Sequence, residues 1–132
     1  MKKTLTSVLL SLILTLTASG CAPELYERLL ISAIGVDRTA TGCRVTVLVS
    51  ETTEDGGQST FSGEGDTVPE ALSQIALESG RTPLYSHNAA ILFGMQCAES
   101  GIAEQLDFFI RHYDSRPTAK VFLAEDTAES IL

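Results

Sequence analysis

The apolar positions of this chain change their spacing several times, and each spacing predicts an element. Val8 to Leu16 is apolar apart from Ser11 and Thr15, behind a cationic start at Met1, Lys2 and Lys3. That is the layout of a secretory signal rather than of a core element. "LLISAIGV", Leu29 to Val36, is apolar on both faces and broken only by Ser32 and Gly35, as expected for a strand in the middle of a sheet. After the turn residues of "TATG", Val45, Val47 and Val49 alternate with Arg44, Thr46 and Ser50, so the two runs predict an antiparallel hairpin. "TEDGG" makes an exposed tip, and "QSTFSGEG" is compatible with a third, shorter strand.

The period then lengthens. Thr67-Val68-Pro69-Glu70 has the form of a capping box, with Thr67 accepting from the first turn and Glu70 reaching back to the Thr67 N–H. Proline is tolerated there because first-turn N–H groups have no acceptor within the helix. Val68, Ala71, Leu72, Ile75, Ala76 and Ser79 mark one face, and Gly80 is a natural stop. "NAAILFG", Asn88 to Gly94, predicts a buried strand; Ile102, Leu106, Phe109, Ile110 and Tyr113 form a second helical stripe. "TAKVFLA", Thr118 to Ala124, predicts a last strand, and "DTAESIL" the beginning of a helix. The order β-β-β-α-β-α-β-α gives an α+β domain: a mixed, largely antiparallel sheet begun by a hairpin, with two to three helices packed on it.

The leader ends in Ala18-Ser19-Gly20-Cys21, which closely resembles the lipobox of bacterial lipoproteins. That resemblance implies cleavage after residue 20 and a diacylglyceryl group on the Cys21 thiol, in preference to an ordinary cleaved signal or an uncleaved anchor. The segment reaches the ~20 apolar residues of a membrane span only if Thr4, Thr6, Ser7, Thr15 and Thr17 are counted as apolar. Each buried methylene adds about 0.8 kcal/mol of membrane affinity, so two acyl chains hold a protein durably where one does not. Residues 1–20 are therefore expected to be the signal, 21–28 a tether, and 29–132 one domain.

Loss of Lys2 and Lys3 with the leader would take the formal charge from −8 to −10. Such a surface argues against nucleic acid and anionic head groups as partners. Cys43 and Cys97 have no CxxC spacing and no neighbouring histidine, so a zinc or thioredoxin-like site is not expected. They read either as two partly buried thiols or as a disulfide, which an exported compartment permits.

Candidate chemistry is thin. His87 and His112 could be combined with Ser86, Ser115, Asp37 and Asp114 into a hydrolase triad, but no G-x-S-x-G elbow is present. The two histidines read better as a hydrogen-bonding residue at a strand entrance and as a complement to a helix C-terminus. Asp107, His112 and Asp114 lack metal-ligand spacing, and "ETTEDGG" lacks that of a calcium loop. Gly63 and Gly65 precede a helix start that could hold an anion, but Glu64 and Asp66 would repel one. Neither a catalytic residue, a metal nor a cofactor is expected. The one suggestive cluster is Arg111, His112, Asp114 and Arg116, which places two arginines within six residues at a helix exit of an acidic chain. It reads as a partner-binding surface, or else as Arg111 complementing the helix end and Arg116 pairing with an acidic neighbour.

Taken in order, the lipobox, "LLISAIGVDR", "SGEGDTVPEALSQIALESGRTPLYSHNAAILFG" and "LDFFIRHYDSRPTAKVFLAEDTAESIL" resemble the N-terminal region of the Ger(x)C family, the lipoprotein C subunits of spore germinant receptors. Gly35-x-Asp37, the Gly65 to Ala71 helix entry, His87, Arg111 and Arg116 fall where that family has similar residues. The resemblance implies a non-catalytic, membrane-tethered receptor component. It would sit on the extracytoplasmic face of the spore's inner membrane, beside membrane-embedded receptor subunits. Family members are longer and carry further domains. The competing expectation is a generic lipoprotein module that captures a solute or a cell-wall fragment.

Overall fold

The computed structural model describes Thr4, Thr6 and Val8 together with residues 27–52, 58–112 and 114–132; Cys21, the expected anchor, and residues 22–26 of the expected tether lie outside them, while Arg28, also assigned to the tether, already belongs to the first strand. The strands are β1 (Arg28–Arg38), β2 (Cys43–Thr52), β3 (Gln58–Gly65), β4 (Thr82–Leu84), β5 (Ala90–Phe93) and β6 (Lys120–Leu123). The helices are α1 (Val68–Ser79), α2 (Met95–Ser100) and α3 (Ala103–Arg111).

β1 is the centre of the sheet because it can be buried on both faces. It pairs antiparallel with β2 along one side and parallel with β4 and then β5 along the other. The order is β3-β2-β1-β5-β6, with β4 beside the first residues of β1. The expected α+β class is met, with a mixed sheet, a hairpin at its start and three helices. β4 and α2 are additional to the expected elements, since Thr82-Pro83-Leu84 has no alternation and α2 is only six residues long.

A bulge in β1 shapes the core. The register with β2 shifts between Ile31 and Ala33, and one extra residue reverses which face the later side chains take. Leu29 and Ile31 before it, and Ile34 and Val36 after it, consequently all enter the main core with Val45, Val47 and Val49 of β2. α1 lays Val68, Ala71, Leu72 and Ile75 over β3 and β2, which is the face predicted from its spacing. Gly80 ends α1 with φ 65°, the left-handed conformation in which glycine carries no penalty. The start of α1 departs from the capping box. Thr67 makes no side-chain cap, and Glu70 Oε2 accepts instead from the Asp66 N–H at 3.0 Å, one residue earlier.

The opposite face carries a smaller cluster, Ala33, Leu92 and Ala128 with Leu48, Ala90 and Leu132 around it. Here the chain after β6 folds back over β1. Asp37 fixes it: Oδ1 accepts from the Ala128 N–H at 2.7 Å and Oδ2 from the Glu129 N–H at 3.0 Å. Two glycines clear the way, because a Cβ on Gly35 would stand 2.9 Å from the Ala128 Cβ and one on Gly94 2.0 Å from Asp37 Oδ1. The "DTAESIL" segment makes a single turn closed by the Ile131 N–H to the Ala128 carbonyl, not the expected helix.

Candidate functional site

An open groove of about 700 Å³ lies between the β1–β2 turn, the first turn of α1, and α3. Each wall follows from a local sequence feature. The turn is held by Thr39, whose N–H donates to the Gly42 carbonyl and whose Oγ1 accepts from the Gly42 N–H, both at 3.0 Å. Gly42 lets that turn lie on the end of β3, since a Cβ would meet the Gly65 carbonyl oxygen at 2.2 Å. Gly63 and Gly65 do the same for α1: their Cβ atoms would stand 2.3 Å from the Ala71 carbonyl oxygen and 2.7 Å from its nitrogen. These glycines are close-approach positions, which accounts for them without an anion.

Chemically the groove is mixed. Arg38 comes from the end of β1, Asp66 from the α1 entry, and Glu104, Asp107 and Arg111 from α3, over Val68, Pro69 and Phe108. The Cys43 thiol lies at its floor, and it and Cys97 are buried and free. Burial, then the neighbouring Cys97, pushes the Cys43 thiol pKa up; burial, then Asp37, does the same for Cys97 against Arg38. Thiols held protonated in this way are poor nucleophiles. Among the described residues no group of three or more His, Cys, Asp or Glu side chains could hold a metal ion.

The cluster predicted at the helix exit divides in two. Arg111 stays in solvent and pairs with Asp107 one turn back, Nε to Oδ1 at 2.7 Å, which raises the guanidinium pKa. Arg116 is exposed and donates to Thr118 Oγ1 at 3.0 Å, so the acidic neighbour expected for it is replaced by a hydroxyl. The other two turn inward. Asp114 Oδ2 accepts from the Tyr85 N–H at 3.2 Å, and the Asp114 N–H points to His112 Nδ1 at 3.4 Å. The His112 ring lies 5.0 Å from Tyr85 and 5.1 Å from Phe108, and the His112 backbone N–H closes α3 on the Phe108 carbonyl. Burial, and then the Asp114 charge, pushes the Tyr85 phenol up to about 12. His112 and Asp114 therefore lock the end of α3 to the strand side, while Arg111 and Arg116 face outward. His87 is exposed.

Arg38, Asp66 and Glu104 were not expected in one site. Only Gly42 and Gly65 signalled it, because glycines flanking a turn and a helix entry mark places where backbones meet.

The family described as spore germination protein N-terminal domain matches residues 22–132. The chain belongs to that family. It is 30% identical over 148 residues to spore germination protein KC of Bacillus subtilis, covering 99% of this chain and 36% of that protein. It is also 24% identical over 147 residues to the protein named "Putative spore germination protein YfkR" of the same organism, covering 100% of this chain and 38% of that protein. The chain thus spans little more than a third of the length of these curated relatives. No solved structure matches it. The Ger(x)C N-terminal region expected from the motifs is the family found, and the Gly35-x-Asp37 motif is the clamp over the closing segment. Among the described residues no helix is long and apolar enough to cross a membrane.

Proposed function

We propose that this chain is the N-terminal domain of a non-catalytic, lipid-tethered subunit of a spore germinant receptor, acting through contact with membrane-embedded receptor subunits. The observation that carries this reading is the division at the exit of α3. His112 and Asp114 are spent on holding the chain, while Arg111 and Arg116 stand exposed on a molecule of net charge −8. Exposed arginines on either side of a loop anchored by Asp114 favour contact with an acidic partner surface. The protonated buried thiols and the inward-facing His112 speak for binding rather than turnover.

In this reading Cys21 carries the diacylglyceryl anchor and places the domain on the extracytoplasmic face of the spore's inner membrane. Replacing Cys21 with Ala should release the chain from membrane fractions and abolish lipid labelling. With the anchor intact, Arg116→Glu should weaken co-purification with the membrane subunits while leaving the unfolding transition in place. Unchanged co-purification removes this surface from the contact.

The groove favours a second reading, a module that captures a small solute. A solute that raises the melting temperature of the wild type but not of Arg38→Ala would favour it.

A further inference from the structure

The far edge of the sheet from the groove is unfinished. β6 is the last strand in the order, and among the described residues nothing pairs with its outer side. Its direction of bonding is set by the Lys120 N–H donating to the Ala89 carbonyl and the Ala124 N–H donating to the Phe93 carbonyl, both at 2.9 Å. Backbone groups alternate sides along a strand, so Val121 and Leu123 turn their N–H and C=O groups toward the open edge. The side chains are bare as well: Val121 is 45%, Phe122 48% and Leu123 61% exposed. Because neighbours on a strand point to opposite faces, both faces of the sheet are uncovered here. Solvent-facing edges are normally blunted with charge, proline or a bulge, and within β6 only Lys120 answers to that.

The geometry points to a strand-addition site on β6, filled by an extended apolar segment from the part of the polypeptide that in the longer relatives lies beyond this domain. Two observations select that occupant. First, the matched span is only 36–38% of those relatives, and the family it matches is by description an N-terminal domain, so most of their length remains to supply both a strand and cover for it. Second, four residues of edge are too short to sustain association between separate chains, for which stable interfaces bury about 1,200 Å² or more. A covalently tethered segment has an effective concentration in the millimolar range for short linkers and needs far less area. The site does not depend on the receptor reading; it would stand if that reading failed.

The test replaces the matched span of spore germination protein KC with this chain, and compares amide hydrogen exchange in that hybrid with exchange in this chain alone. The Val121 and Leu123 amides should exchange at least about tenfold more slowly in the hybrid, with the Phe122 amide already protected in both. Leu123→Pro removes one outward donor without touching the ladder to β5; it should return Val121 to fast exchange in the hybrid and leave the isolated chain's melting temperature unchanged. If the hybrid does not fold, the KC remainder added as a separate polypeptide at millimolar concentration should produce the same protection. Equal exchange at Val121 and Leu123 with and without the remainder overturns the proposal. So does concentration-dependent protection in the isolated chain, which would assign the edge to a second copy.

Discussion

The sheet has two edges, and they are built on opposite principles. β3 is polar and glycine-bearing, with its positions alternating between exposed and half-buried, yet α1 lies across it and makes it part of the main core. β6 is apolar, yet all four of its residues are exposed. The lesson is that strand composition does not report coverage by itself. Gly63 and Gly65 keep β3 low enough for a helix to come down on it, and the helix provides the hydrophobic contact that β3 lacks. β6 has the hydrophobic residues and, among the described residues, no element over them.

The largest test of this contrast puts a charge at each end. Ile75, on the inner face of α1, is fully buried, so Ile75→Asp should cost several kcal/mol and abolish cooperative thermal unfolding. Phe122→Asp, at the bare edge, should stay within about 0.5 kcal/mol of the wild type. Similar melting curves for the two variants would show that the edges are equally covered.

Asp37→Ala comes next. It strips the acceptors from the Ala128 and Glu129 N–H groups, and bonds to a charged acceptor are worth about 1.5–3 kcal/mol each. A loss of roughly 2–4 kcal/mol is expected, together with protease cleavage confined to residues 125–132. That would separate the clamp over the second face from the core under α1.

The alkaline limb gives a smaller effect. With the Tyr85 phenol raised in the fold to about 12 from the ordinary value of about 10, the unfolded chain loses this proton first. The associated stability is complete below about pH 10 and lost as pH rises through about 12. Tyr85→Phe should flatten that part of the stability profile, measured by urea midpoints between those two pH values.

The smallest change is Arg44→Ala beside β3. The Arg44 guanidinium bonds Glu64 through Nε at 2.9 Å and Glu129 through Nη1 at 3.1 Å, but all three side chains are about half-exposed to solvent. Double-mutant cycles on the Arg44–Glu64 pair should give a coupling below about 1 kcal/mol, shrinking further in salt.

What the sequence revealed follows the range of the forces involved. The β1–β2 hairpin, the α1 face and the Gly80 stop rest on neighbours a few residues apart, and periodicity exposes them. The capping box misplaced its bond by one residue because Glu70 could reach either of two adjacent N–H groups. The groove was invisible, since Arg38, Asp66 and Glu104 meet only after the sheet has closed. Arg111 and Arg116 were recognisable as a pair at a helix exit. The inward turn of Asp114 was not, because its partner, the Tyr85 N–H, lies 29 residues earlier.

The Asp37 clamp also sets a timetable. Its partner Ala128 is 91 residues downstream, and β1, which emerges from the ribosome early, takes two of its three neighbouring strands from beyond residue 80. Contacts of such long sequence separation must wait for loop closure and form slowly. A domain built this way stays open until the segment that carries Ala128 has been delivered.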